Sequence, residues 1–127
     1  MTNTSDSRLA LAIDRADLLS ASVWAGPSCT LVRLTGEWDV TASDQLRDLL
    51  ADQVRAGARD LVVDLSDVAF LDLACLYALL DGARMAKRAG GTLQLTSPQS
   101  VIVRLISLLG AGPLIIVRSS LAEATAG

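Results

Sequence analysis

Residues 61–88 constrain the fold more than any other part of this 127-residue chain. Leu61, Val62 and Val63 form an unbroken apolar run, which is typical of a strand buried on both faces in a parallel or mixed sheet. A short connection through residues 66–69 then leads to Asp72. Its carboxylate is well placed to cap a helix that continues to about Arg88.

This helix has two contrasting sides. Apolar residues recur at helical spacing and predict a stripe packed on the sheet, made of Leu76, Leu79, Leu80, Ala83 and Ala86. The opposite side carries Leu73, Tyr77, Asp81 and Arg84. Because Leu73 and Tyr77 are large and apolar, the exposed start of the helix is expected to be a contact surface.

The other elements predict one α/β domain, with a mixed sheet of about five strands packed with α-helices. Residues 1–17 form an N-terminal extension, partly flexible, in which residues 8–17 fit a strand or a helical piece. The domain covers residues 18–127. Its predicted elements are a hairpin of residues 18–24 and 29–35, a helix capped by Thr41 and continuing to Ala56, a strand at 92–96 and a strand at 114–117. A further helix should begin at Ser97-Pro98, with Val101, Leu105, Leu108 and Leu109 on its inner side.

Composition excludes several classes of function. The net charge is −3 and aromatic residues make up 3%, which leaves neither a basic stripe nor stacking platforms for nucleic acid. Histidine is absent, and with it the commonest general base and metal ligand. No stretch approaches the roughly 20 apolar residues of a membrane helix, and the N-terminus has no basic region of a secretion signal. We therefore expect a cytoplasmic protein with neither a membrane nor a direct nucleic-acid partner.

Residues 64–72 read D-L-S-D-V-A-F-L-D before the helix, and this pattern resembles the STAS domain, especially the bacterial anti-sigma-factor antagonists. The G-E-W-D turn at residues 36–39 is similar to a turn of that family. In the family the helix opens with Asp-Ser-Ser-Gly, and the anti-sigma factor, itself a kinase, phosphorylates the second serine. Here residues 72–75 read Asp-Leu-Ala-Cys. The resemblance implies the fold and the class of partner, whereas Ala74 removes the usual phosphorylation site.

The resemblance places partner binding at the start of this helix and at the neighbouring turn. The residues assigned to that surface are Trp38, Asp39, Asp72, Leu73, Ala74, Cys75 and Tyr77. Trp38 fits two interpretations, an interface anchor and an aromatic side chain tucked over its own domain. No catalytic residue, metal ligand or cofactor is expected. The three carboxylates Asp64, Asp67 and Asp72 are a weak metal signal without histidine or a phosphate loop, and Ser66 fits a turn-stabilising hydroxyl.

The two cysteines, Cys29 and Cys75, lack metal-ligand spacing and fit a reduced compartment. Cys75 replaces the glycine of the family motif, and packing is favoured there over a redox role. A disulfide between them is disfavoured, because Cys29 begins a strand whose other end should lie beside the helix, roughly 20 Å away.

The expected function is that of an anti-sigma factor antagonist, which binds a kinase-like anti-sigma factor and so frees a sigma factor for transcription. Phosphorylation at the usual serine position does not switch it. The alternative is a STAS scaffold or small-ligand-sensing domain in a larger signalling assembly, for which a homodimer would be evidence. An enzyme with Cys75 as nucleophile is disfavoured because no histidine can act as its base.

Overall fold

The computed structural model of the chain describes residues 7–11 and 19–125. The strands and helices alternate in the second half of the chain, as in other α/β domains. They are β1 (Ser7–Leu11), β2 (Leu19–Ala25), β3 (Thr30–Trp38), a 3-10 turn (Val40–Ala42), α1 (Ser43–Arg55), β4 (Asp60–Leu71), α2 (Leu73–Arg88), β5 (Thr92–Thr96), α3 (Ser100–Leu108), β6 (Ile116–Arg118) and α4 (Leu121–Thr125).

The sheet is mixed, with the order β1-β2-β3-β4-β5-β6. The pairs β1–β2 and β2–β3 are antiparallel, and the pairs β3–β4, β4–β5 and β5–β6 are parallel. The predicted α/β fold with a mixed sheet is confirmed. About five strands were expected, and the described residues form six, because Ser7–Leu11 pairs with β2. The expected domain boundary, between residues 17 and 18, lies outside the described residues.

One face of the sheet carries the main core. Alternate residues of β2 and β3 point into it, including Ala21, Val23, Val32 and Leu34, each at most 2% exposed. The inner stripe of α2 packs there as predicted, with Leu76, Leu79, Leu80, Ala83 and Ala86 all buried. In β4, Val62 and Asp64 on the other face are buried as well. The strand is therefore buried on both faces, as its apolar run predicts.

β4 is longer than predicted, since residues 66–69 belong to the strand and not to a connection. Asp67 and Val68 pair with Thr35 and Gly36 of β3, and the register shifts between Arg33 and Thr35 and between Gly36 and Glu37. Such an irregularity breaks the alternation of buried and exposed residues. Because Ser66 and Asp67 are polar and interrupt the alternation, the sequence of this segment is typical of a loop.

The predicted start of α3 is wrong, and its predicted inner side is right only at Leu105, which is partly buried against the core. Ser97 is not a helix cap: its φ is 53°, its N–H donates to the Arg118 carbonyl, and its hydroxyl donates to the Ser119 carbonyl. The helix begins at Ser100 and buries Ile102 and Ile106. Val101 and Leu108, expected inside, are 52% and 74% exposed. Moving the buried positions by one residue turns the helix by about 100°, which brings Val101 and Leu108 to the surface and leaves Leu105 partly inside.

The start of α1 also differs from the prediction. Asp39, not Thr41, provides the capping carboxylate, which accepts from the Thr41 N–H at 3.0 Å. A single 3-10 turn separates this cap from the α-helix, which begins at Ser43. Across residues 7–11 and 19–125, no helix has the length and apolar character needed to cross a bilayer.

Candidate functional site

The start of α2 lies at the edge of the sheet where β3 and β4 end side by side. These two strands are parallel, and their last residues, Trp38 and Leu71, are paired. The next backbone N–H, of Asp72, donates to the Trp38 carbonyl at 2.8 Å. The turn after β3 and the first turn of α2 are therefore held together, which is the proximity that the sequence predicted.

Asp72 caps α2 as predicted. Its backbone is extended, and its Oδ2 accepts from the Ala74 N–H at 2.8 Å. Its carbonyl accepts from the Leu76 N–H at 3.0 Å, so the helix begins directly after it. The carboxylate satisfies an N–H that has no partner within the helix and also suits the positive end of the helix dipole. Asp72 is thus explained by the architecture, without a metal or a reaction.

Large apolar side chains surround this helix start and remain exposed. Leu73 is 46% and Tyr77 is 44% exposed, one helical turn apart on the outward side of α2. Phe70 at the end of β4 is 49% exposed and Val40 in the 3-10 turn is 58% exposed. We call these four residues the α2 tip. A group of this kind on a small domain is typical of a protein contact surface.

The predicted surface residues differ in how far they are exposed. Leu73 and Tyr77 are exposed, whereas Asp39, Asp72 and Ala74 are half-buried at the margin of the tip. Phe70 and Val40 were not among the predicted surface residues. Their exposure depends on the irregular pairing of β3 with β4 and on the 3-10 turn, and neither feature has a clear sequence signal.

Trp38 is not a surface residue, which corrects its assignment as a partner contact. Its side chain is fully buried, and its indole N–H donates to the Thr35 carbonyl at 3.0 Å. Trp38 belongs to the same core cluster as Leu71 and Cys75. The interpretation of an aromatic tucked over its own domain is therefore the right one, and Trp38 supports the start of α2 from beneath.

The assignment of Cys75 to the contact surface is also corrected, because its side chain is fully buried. Its thiol donates to the Asp39 carbonyl at 3.2 Å. Burial, followed by the charges of Asp72 and Asp39, raises the pKa of the Cys75 thiol to about 12. Cys29, at the far end of β3, is also a free cysteine, and burial beside Asp60 raises its pKa. Both thiols are protonated near neutral pH, as expected of packing residues.

The carboxylates considered as a weak metal signal have structural partners. Asp64 is buried and accepts from Thr96 Oγ1 at 2.9 Å and from the N–H and hydroxyl of Ser66 at 3.2 and 3.1 Å. Arg33 lies 3.6 Å from Asp64 and donates to Asp67 at 2.8 Å. Within the described ranges, no group of three or more acidic or cysteine side chains could hold a metal ion.

Ion pairs fix α1 against α2 behind the tip. Arg47 of α1 donates to Asp81 of α2 at 2.9 Å and to Asp44 at 2.8 Å. Asp81 also accepts from Arg84 at 2.8 Å, so one carboxylate joins the two helices. Asp81 and Arg84 lie on the outward side of α2, as predicted. These pairs are partly exposed and contribute orientation more than stability.

Known proteins resemble this chain in sequence and in fold. The family model described as "Mlab, STAS domain" matches residues 22–117. The anti-sigma-B factor antagonist of Bacillus subtilis (strain 168) is 33% identical over 79 residues, which cover 62% of this chain and 72% of that protein. By its name, this relative is a regulator that acts on an anti-sigma factor.

Solved structures show the same fold at lower sequence identity. A crystal structure of an anti-sigma factor antagonist from Mycobacterium paratuberculosis has a TM-score of 0.75 and 22% identity, and covers 90% of this chain and 97% of that one. The Bacillus cell fate determinant SpoIIAA in its phosphorylated form has a TM-score of 0.64 and 19% identity, with coverage of 93% and 96%. From its sequence and its fold, the chain belongs to the STAS-domain family of anti-sigma factor antagonists.

Proposed function

We propose that this chain binds a kinase-like anti-sigma factor through the α2 tip and so releases a sigma factor for transcription. The observation that supports this most directly is the exposure of Leu73 and Tyr77 beside a helix start that is fixed by Asp72. Burying a large apolar side chain at a protein interface contributes about 1.5–3 kcal/mol. The chain acts by binding, and no residue of the tip is assigned a chemical step.

In this proposal, phosphorylation of the helix start does not control the binding. Ala74 is the second residue of α2 and has no hydroxyl, and its neighbours Leu73 and Cys75 offer no aliphatic hydroxyl either. A phosphate in the middle of an interface would add about −1.5 to −2 charges and repel an apolar partner surface. Without that modification, antagonism is set by the abundance of the protein or by another site.

The binding surface is tested by affinity purification from the native cytoplasm with the wild-type chain and with Leu73→Asp. A charge in the centre of an apolar contact should reduce capture of the kinase-like partner at least tenfold, about 1.4 kcal/mol. Leu108→Asp is the matched control, because it makes the same change at a residue that is 74% exposed on α3. Equal capture by wild type and Leu73→Asp would contradict the proposed surface.

The absence of the phosphorylation switch is tested with the purified partner, ATP and intact-mass measurement. The wild-type chain should gain no phosphoryl group, whereas Ala74→Ser restores a hydroxyl at the second residue of α2 and serves as the comparison. A phosphoryl group on the wild-type chain would contradict control by abundance alone, would show that the partner modifies another site, and would leave the binding proposal intact.

A further inference from the structure

A second surface lies along α2, between this helix and the chain that follows α3. It is a groove of about 360 Å³. One wall is formed by Tyr77, Leu80, Arg84 and Lys87 of α2, and the other includes Leu109 and Leu114. The residues of α2 recur at intervals of three and four, so they form a straight ridge. At 1.5 Å per residue, the groove is about 15 Å long, or nearly three helical turns.

The groove combines apolar walls with positive charge. Tyr77 and Leu109 are 44% and 41% exposed, and Leu114 is half-buried. Arg84 forms an ion pair with Asp81 at 2.8 Å, whereas Lys87 forms none with a carboxylate in the described part of the chain. The residues that line the groove include two basic ones and no acidic one, although the whole chain carries −3. The lining of the groove is therefore positive on an otherwise acidic protein.

We propose that this groove binds an acidic amphipathic helix of a protein partner. An amphipathic helix in a groove places residues at i, i+3, i+4 and i+7 on the apolar walls, which a groove of nearly three turns accommodates. Acidic residues at the edges of that helix would face Arg84 and Lys87, so that the charges are complementary. The inference goes beyond binding at the α2 tip and does not depend on it.

The test is an NMR titration of the ¹⁵N-labelled full chain with a peptide of about 15 residues that has leucines at helical positions and glutamates elsewhere. Saturable shifts should appear in the amides of residues 77–87 and 109–114. A peptide with lysine in place of every glutamate should bind at least tenfold more weakly. Shifts confined to Val40, Phe70 and Leu73, or equal binding of the two peptides, would overturn the proposal.

Matched variants test the charges. Arg84→Glu/Lys87→Glu should weaken the binding of the glutamate peptide about tenfold, because two attractive contacts become repulsive. The control Arg55→Glu/Arg88→Glu makes the same change of net charge at two residues outside the groove. It should bind the glutamate peptide as the wild type does. Leu109→Asp tests the apolar wall and should also lose binding. Equal binding by both double variants would overturn the proposal.

Two further experiments distinguish binding in the groove from binding at the α2 tip and from binding to a lipid surface. Leu73→Asp should leave peptide binding unchanged, so failure at the tip and failure at the groove give different results. Sedimentation with phosphatidylglycerol vesicles should show no association. Association with the vesicles that requires Arg84 and Lys87, without binding of the glutamate peptide, would overturn the proposal in favour of a lipid surface.

Discussion

At the scale of single residues, the thiol of Cys75 makes the stability of the protein depend on pH. Below its ordinary pKa of 9.0, the thiol is neutral in both the folded and the unfolded chain. Above that value the unfolded thiol ionises, while the folded thiol stays protonated up to a pKa of about 12. The folded chain then binds more protons. The contribution of this group to the free energy of unfolding is therefore lost as pH rises, by up to about 1.4 kcal/mol per pH unit.

Urea unfolding of the wild type and of Cys75→Ala at about pH 8 and about pH 10 measures this effect. We expect the stability of the wild type relative to the variant to fall by about 1 kcal/mol between the two values. The other titrating groups are common to both chains and cancel in the comparison. A difference that is the same at both pH values would contradict the assignment.

Residue type alone predicted the position and role of some side chains at the site, but not of others. Asp72 was predicted because an N-cap is local: the carboxylate bonds an N–H two residues away. The sequence did not determine whether Trp38 is buried, since its core cluster includes Leu71 and Cys75, which are distant from it in sequence. An aromatic residue after a glycine turn has the same sequence signature whether it is buried or exposed.

At the scale of secondary-structure elements, the close approach of β4 and β5 at their beginnings depends on Gly91. The Thr92 N–H donates to the Arg59 carbonyl at 3.1 Å. A Cβ at position 91 would lie 1.6 Å from that same carbonyl oxygen. Because the obstacle is backbone, a small rotation of a side chain cannot relieve the clash.

We therefore expect Gly91→Ala to destabilise the protein by about 3 kcal/mol or to prevent folding. Gly112→Ala is the control: a Cβ there meets no atom within 4 Å, and its effect should stay within about 0.5 kcal/mol. Thermal or urea unfolding of both variants measures the difference. Equal stability of the two variants would show that the beginnings of the strands separate easily.

The two later helices show how far a sequence pattern determines an element. In α2, the cap at Asp72 and the leucine stripe agree, so both the start and the inner side were predicted correctly. In α3, six of the nine positions are apolar, with Ser-Val-Ile-Val-Arg-Leu-Ile-Ser-Leu, so that two overlapping sides satisfy the same periodicity. Ser97 has a φ of 53° and lies outside the helix, which begins at Ser100. Its hydroxyl instead donates to the Ser119 carbonyl, twenty-two residues away, a contact that no local pattern predicts.

At the scale of the whole molecule, the stability should be concentrated in the middle of the sheet. β3 and β4 are central, and β4 is buried on both faces. All three residues of β6 are exposed, and α3 buries only Ile102 and Ile106. Elements with few buried side chains open at lower free energy than the central strands.

In native-state hydrogen exchange, the amides of β3 and β4 should therefore be the most protected, because they exchange only through global unfolding. Amides of α3 and β6 should exchange through smaller openings, at least tenfold faster. Exchange of α3 at the rate of β4 would contradict this order and would show that α3 unfolds only with the domain.

The number of strands was the part of the architecture that the sequence described least well. The βαβ arrangement of β3, α1 and β4 followed from apolar runs, glycine stops and short connections. Ser7–Leu11 alternates too weakly to distinguish a strand from a helix, and its structure depends on pairing with β2. A strand at the edge of a sheet is specified by its neighbour as much as by its own residues.

The hydrogen bond from the Asp72 N–H to the Trp38 carbonyl has a consequence for binding. It ties the α2 tip to the centre of the sheet, with Trp38 packed beneath it. A binding partner would meet a surface whose backbone is already in place, so docking there would sacrifice little conformational entropy. The affinity of such a preorganised surface would depend mainly on the exposed side chains it offers, not on the ordering of a loop.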